Sequence, residues 1–260
     1  MTTVGLIGSG RLGSTVARLA VGAGHDVVLS NSRGPDTLRD LTSKLGPLAR
    51  AATPREAAAA GEIVLVSLPV KAYPKLSGIP LAGKVVMDTG NYYPERDGQI
   101  PELDSKSMTD SEYLLGFLPD AQVVKVFNNI WFKHLLHLAR PSGAADRSAL
   151  PIAGDSATAK AAVTRFVDSI GYRTVDAGLL ADGWRQQPRT PVYVTPYGSR
   201  DDEYGTPAGA ALIRAALDAT RGSGPFPELH GMHQALLKPT ATSRATRRSH
   251  RPRRNRSRPG

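Results

Sequence analysis

The chain has 260 residues, 40% of them hydrophobic, enough to bury a core, and it has no cysteine. That excludes disulfides, thiolate nucleophiles, iron–sulfur clusters and thiolate zinc sites. The formal charge of +10 points to nucleic acid until it is located: Pro239 to Gly260 carries eight Arg and no acid, and the remainder stands at about +2, ordinary for a soluble enzyme.

Val4-Gly5-Leu6-Ile7 is a short apolar run ending in glycines, which predicts a buried parallel strand. A helix follows from Leu12 to Ala23, with Leu12, Val16, Leu19 and Ala20 at helical spacing and Gly24 as its stop. Asp26 to Ser30 is the second strand, and Pro35 opens a helix that Gly46 closes. Leu48 to Ala51 reads as a short third strand. Thr53-Pro54-Arg55-Glu56 caps a helix through Ala60. Further strands are expected at Glu62 to Leu68, Lys84 to Asp88 and Gln122 to Phe127, the last followed by a helix from Ile130 to Leu138. Unalternating apolar strands joined through helices by short loops predict a parallel sheet covered on both faces.

After Ser148 a smaller unit is expected: strands at Leu150 to Ala153 and Tyr172 to Asp176, with a helix from Ser156 to Ile170 between them. Ala177 to Gly205 is irregular, and Pro207 to Arg221 is a last helix. The fold class is therefore α/β, a Rossmann-type doubly wound parallel sheet with a small C-terminal cap and a disordered basic tail. The expected division is 1–148 for nucleotide binding, 149–221 for the cap, and 222–260 for linker and tail.

Gly8-Ser9-Gly10-Arg11-Leu12-Gly13 sits between the first strand and first helix as G-x-G-x-x-G, the context that separates a dinucleotide site from an ordinary glycine-rich turn. Gly8 permits the tight turn, Gly10 lets backbone approach a pyrophosphate, and Gly13 lets the helix pack closely. The helix N-terminus then offers free N–H groups and a partial positive charge to the phosphates. NAD-specific sites place Asp or Glu at the end of the second strand; this chain has Ser30-Asn31-Ser32-Arg33-Gly34. A carboxylate would repel a 2′-phosphate, whereas hydroxyls and a guanidinium bind one, so Asn31, Ser32 and Arg33 predict NADP(H).

Three loops lie at strand carboxyl ends, where open α/β sheets bind ligands. They carry Leu68-Pro69, Asn91 and Asn128. Leu68 and Pro69 are assigned to the cofactor, and Asn91 and Asn128 to the substrate pocket. The loop Asp182 to Pro188 adds Trp184, to stack on a planar ring, and Arg185, to meet an anionic substituent. His25 sits before the second strand. His134 and His137 share a helix face without a third ligand, and His230 and His233 lie near the tail, so no metal is expected. The catalytic residue is unknown from sequence: direct hydride transfer needs stacked rings and no acid or base.

On these residues the chain resembles the NADPH-dependent reductases of coenzyme F-420, an 8-hydroxy-5-deazaflavin. The resemblance rests on Gly8 to Gly13, Ser32-Arg33, Leu68-Pro69 and Val123 to Asn129. It continues through Ile152 to Asp155 and Val175 to Gly178, and so covers about residues 4 to 180. It implies Ser9, Gly10, Arg11 and Leu12 at the phosphates and Ser32 and Arg33 at the 2′-phosphate. A deazaflavin would stack on the nicotinamide near the cap. Where archaeal members carry His-Thr after the sixth strand this chain has Asn128-Asn129, and its Thr89 to Arg96 loop looks more like a bacterial branch.

The expected function is hydride transfer between NADPH and coenzyme F-420 or a related small-molecule acceptor. The alternative is an imine, carbonyl or pyrroline-carboxylate-type reductase. From another class comes an NADP-sensing regulator whose basic tail touches nucleic acid, disfavoured because the tail lacks aromatics and any reading module. No apolar run approaches the roughly 18 residues of a membrane helix, and Met1-Thr2-Thr3 runs into a strand without a basic leader. A cytoplasmic protein with no membrane partner is expected, and a homo-oligomer is compatible with the sequence.

Overall fold

The computed structural model describes residues 1–220. The arginine-rich segment from Pro239, its preceding linker and His230 and His233 lie outside the described residues.

Eight strands form one sheet: β1 (Thr3–Ile7), β2 (Asp26–Ser30), β3 (Ala49–Ala51), β4 (Ile63–Val66), β5 (Val85–Asp88), β6 (Gln122–Lys125), β7 (Ala149–Ala153) and β8 (Arg173–Gly178). Their spatial order is β3-β2-β1-β4-β5-β6-β7-β8. Strands β1 to β6 pair in parallel. The chain leaves β1 toward β2 on one side and returns to β4 on the other, so a topological switch point opens between the carboxyl ends of β1 and β4.

The region after Ser148 continues this same sheet. Strand β7 meets β6 antiparallel at a single pair, Lys125 with Ala153, and then pairs in parallel with β8. Pro151, two residues before that pair, has no N–H to extend the ladder.

Helix α1 (Arg11–Gly22) presents Val16, Ala17 and Ala20 to Val4 and Leu6 of β1. On the opposite face, α3 (Pro54–Ala60) lies almost on the backbone of β1. A Cβ at Gly5 would stand 2.2 Å from the Ala57 carbonyl oxygen, so Gly5 and the alanine-rich helix require one another. Thr53 and Glu56 close the expected cap reciprocally. Between α1 and α3 the predicted helix over 35–45 divides into a 3-10 turn, Pro35–Leu38, and α2 (Arg39–Leu45).

Four pieces appear where the sequence pattern was silent. They are a 3-10 stretch over Val70–Leu76, two single turns α4 (Pro94–Asp97) and α5 (Pro101–Asp104), and α6 (Asp110–Gly116). Then come α7 (Phe132–His137), α8 (Ala157–Ser169) and α9 (Ala210–Asp218). The stretch read as irregular, 177–205, carries 3-10 turns at Leu180–Gln186 and Thr195–Tyr197. No described helix is long and apolar enough to cross a membrane.

Candidate active site

The three glycines of the motif have separable tasks. Gly8 has φ +107°, and a Cβ there would stand 2.2 Å from the Ser67 carbonyl oxygen. A Cβ at Gly13 would stand 2.1 Å from the Gly8 carbonyl oxygen. Both are fixed by the protein's own packing. Gly10 is different: it has extended backbone (φ −72°, ψ −170°) that any residue adopts, and a Cβ there meets no protein atom within 4 Å. Gly10 also stands at the N-cap of α1, where no side chain caps the first-turn N–H groups. An open cradle of N–H groups at a helix N-terminus fits a phosphate.

Around this cradle, Gly8 N donates to the Ser30 carbonyl (3.1 Å) and Ser9 Oγ donates to the same oxygen (2.9 Å). The Ser9 hydroxyl thus serves the turn. Beyond Ser30, Ser32 and Arg33 are exposed. Asn31 shapes their loop: its Oδ1 accepts from Arg33 N (2.9 Å) and its Nδ2 donates to Thr37 Oγ1 (2.9 Å). Asn31 therefore sets the path of the Ser32-Arg33 backbone.

A cavity of about 270 Å³ continues from Arg11 and Leu12 past Leu68 and Pro69 to Asn91 and Asn128. Six predicted residues from four separate loops are brought to one crevice. Asn91 Nδ2 donates to the Asn128 carbonyl (2.8 Å), and Asn128 Nδ2 donates to Asn91 Oδ1 (3.0 Å) and to the Gln186 carbonyl (2.7 Å). Asn128 is buried, and its Oδ1 has no partner among the described residues. It is an acceptor suited to an amide or other donor of a ligand. Asn129 ties the same strand end to the 187–200 segment, donating to the Val192 carbonyl (3.0 Å) and Tyr197 Oη (3.2 Å). Phe127, just before this pair, is buried with φ +65°. That left-handed conformation is costly for a bulky residue and marks the strand end as constrained from both sides.

A second cavity of about 690 Å³ adjoins the first, and Tyr93 and Tyr193 line both. Trp184 is half-buried and is not among the residues lining these two cavities. Arg185 is placed elsewhere altogether. Its guanidinium donates to the carbonyls of Ala177 (2.9 Å) and Leu217 (3.0 Å), so it clamps the end of α9 to β8 instead of meeting an anionic substituent. A buried guanidinium spends its donors on nearby carbonyls, and α9 supplies them.

The sequence pattern missed what supports this crevice. Lys125, fully buried in β6, donates to Asp110 Oδ1 (2.6 Å), the Gly90 carbonyl (2.9 Å) and Ser111 Oγ (3.1 Å), with Asp88 Oδ2 at 3.5 Å. Asp88 in turn accepts from Tyr73 Oη (2.9 Å), Gly90 N (2.8 Å) and Ser111 Oγ (2.7 Å). Burial favours the neutral form of Lys125, but the two carboxylates outweigh it and hold the ammonium charged. Burial raises the Asp110 carboxyl, with Asp88 adding to that and Lys125 opposing it. The network pins the Gly90–Asn91 loop against the sheet. A lysine inside an apolar parallel strand was its visible signal. The histidines serve structure: His25 bonds Thr2 and Ser169, and His134 bonds the Asp202 carbonyl. Among the described residues no group of three His, Cys, Asp or Glu could hold a metal ion.

Residues 3–92 match the family described as NADP oxidoreductase, coenzyme F420-dependent. The rat metalloreductase STEAP3 is 32% identical over 200 residues, which is 74% of this chain and 37% of that one. The chain thus spans little more than a third of that relative. Among solved structures, the Sinorhizobium meliloti protein SMa0349 is 27% identical with a TM-score of 0.65, covering 75% of this chain and 93% of its own. An Arthrobacter protein assigned as an F420-dependent NADP reductase shares the fold, at 24% identity and a TM-score of 0.58 over 69% of this chain and 86% of its own.

Proposed function

We propose that this chain is an NADP-dependent oxidoreductase, as the family matched by residues 3–92 is described, that binds NADP(H) from Gly8–Gly13 to Asn128 and reduces a deazaflavin-type acceptor held in the adjoining cavity. The observation that carries the proposal is Gly10. Nothing in the protein's own packing requires glycine there, and its place at the N-cap of α1 within G-x-G-x-x-G is where a pyrophosphate would approach the backbone. When bound, the dinucleotide supplies a hydride. The α1 N-terminus, through Gly10, Arg11 and Leu12, would hold its phosphates, Ser32 and Arg33 its 2′-phosphate, and Leu68 and Pro69 the face of its nicotinamide half. Asn128 Oδ1 would accept from its amide. The larger cavity, walled by Tyr92, Tyr93 and Tyr193, suits a planar conjugated ring.

Two outcomes are expected. On mixing with NADPH, oxidised coenzyme F-420 should lose its visible absorbance catalytically as NADPH is consumed. NADPH binding without bleaching would remove the deazaflavin and move the search to imine, carbonyl or flavin acceptors. Second, Arg33→Ala should weaken NADPH about 10- to 100-fold, the worth of a charge-assisted phosphate contact, and leave NADH within about twofold. Equal losses for both, measured by fluorescence titration, would overturn the 2′-phosphate assignment.

A further inference from the structure

The Tyr93 and Tyr193 hydroxyls stand 2.5 Å apart, each side chain half-buried, one from the loop after β5 and the other from the 187–200 segment. Their pairing joins two walls a hundred residues apart and occupies the junction between the 270 Å³ and 690 Å³ cavities. A ring in the larger cavity has these two hydroxyls on its wall toward the smaller one. Both are held there. Tyr93 N donates to Asp97 Oδ2 (3.1 Å), and the Arg96 guanidinium lies 5.0 Å from the Tyr93 ring centre. Tyr193 N donates to the Thr190 carbonyl (3.0 Å), and Val194 N donates to the Asn129 carbonyl (2.8 Å). Arg189 (φ +74°) and Val194 (φ +63°), on either side of Tyr193, are both left-handed. For a β-branched valine that is a strained conformation, kept where the surroundings over-determine it.

We propose that the Tyr93–Tyr193 pair is the proton donor of the reduction, with Tyr193 touching the acceptor and Tyr93 supporting it; this rests on the hydride-transfer function proposed above. Hydride transfer itself needs no acid, as expected from the sequence, but it adds two electrons and one hydrogen to the acceptor carbon and leaves negative charge on the conjugated heteroatom, which a proton neutralises. In a pair of phenols one hydroxyl proton is committed to the partner and the other is free. With Tyr93 donating to Tyr193, the Tyr193 proton goes to the acceptor heteroatom, and its O–H bond breaks as the new bond forms. The resulting phenolate keeps the Tyr93 hydrogen bond, and solvent in the larger cavity returns the proton. Burial and the Tyr193 contact raise the Tyr93 hydroxyl well above the ordinary tyrosine range, so it stays protonated and keeps a proton to donate to Tyr193. Arg200 lines the larger cavity beside the pair.

The test compares the full chain with Tyr193→Phe, and with Tyr93→Phe as a second variant. With NADPH and F-420, Tyr193→Phe should lower kcat about 100-fold or more, the usual worth of a positioned acid, and abolish the solvent deuterium isotope effect. KM and NADPH affinity should stay within about twofold. A readout without turnover uses NADP+ and oxidised F-420. The hydrogen bond from Tyr193 should shift the bound deazaflavin's absorption band in the unaltered protein and not in Tyr193→Phe. Turnover within threefold of the unaltered protein, or an unchanged band shift, overturns the assignment and leaves the pair a wall. Absence of turnover by the unaltered protein with NADPH bound overturns the deazaflavin function and this assignment with it.

Discussion

Replacing Lys125 with methionine is expected to destabilise the protein by about 3–5 kcal/mol, lowering the melting temperature by roughly 6–20 °C for a chain of this size. The ammonium is fully buried and satisfies all three donors, on Asp110, the Gly90 carbonyl and Ser111. Methionine fills the volume and supplies no charge. Asp88 and Asp110, both buried, would then face one another without a cation. A buried unpaired carboxylate costs far more than the pair contributes. The same change frees the Gly90 carbonyl, so the Asn91 side of the crevice should loosen and NADPH affinity fall as well. Adding Asp110→Asn to Lys125→Met restores the net charge of the cluster and should recover part of the loss. Calorimetry on the three proteins decides the matter. A loss under about 1 kcal/mol for Lys125→Met, or no recovery in the double variant, would remove the network as the support of the site.

Gly10→Val should abolish NADPH binding while leaving the melting temperature nearly unchanged, whereas substitution at Gly13 should lower both. Losing several charge-assisted hydrogen bonds between backbone N–H groups and phosphate, at about 1.5–3 kcal/mol each, corresponds to 100-fold or more in affinity. The fold should not respond, because the Gly10 backbone is extended and its Cβ position is clear of protein atoms. Gly13→Ala is the contrast. Its Cβ would press on the Gly8 carbonyl oxygen, so stability and binding should fall together. Isothermal titration with NADPH beside thermal melts separates the two effects. A Gly10→Val protein that binds NADPH normally would show that the phosphates lie elsewhere.

Much of this was legible along the chain because it is local. Unalternating apolar runs gave the parallel strands, and strand–glycine–helix context gave the turn at Gly8. Ser32-Arg33 is exposed, as a turn beyond a strand end is expected to be. The single turns α4 and α5 are too short to build a period. Helix α6 carries a start signal, Thr109 with Glu112 three residues on, but no long apolar period behind it. The separate cap expected after Ser148 begins instead as strands β7 and β8 of the main sheet, since a sequence shows a strand's edges but not which neighbour it will find.

The residues that hold the site together were beyond sequence for a common reason. Arg185 looks like a ligand for anions until α9 and β8 supply carbonyls for its guanidinium. Lys125 and Asp110 lie 15 residues apart and become one charge cluster only when β6 packs over α6. Tyr93 and Tyr193 are a hundred residues apart, and nothing local to either predicts the other. By itself the sequence determined the strand–turn–helix at Gly8 to Gly13 and the exposed Ser32-Arg33 pair beyond β2, because both depend on backbone freedom and exposed chemistry within a few residues. Only the tertiary structure decided which polar side chains face a ligand and which are consumed by burial, because a buried donor must find an acceptor and long-range packing determines which one is within reach.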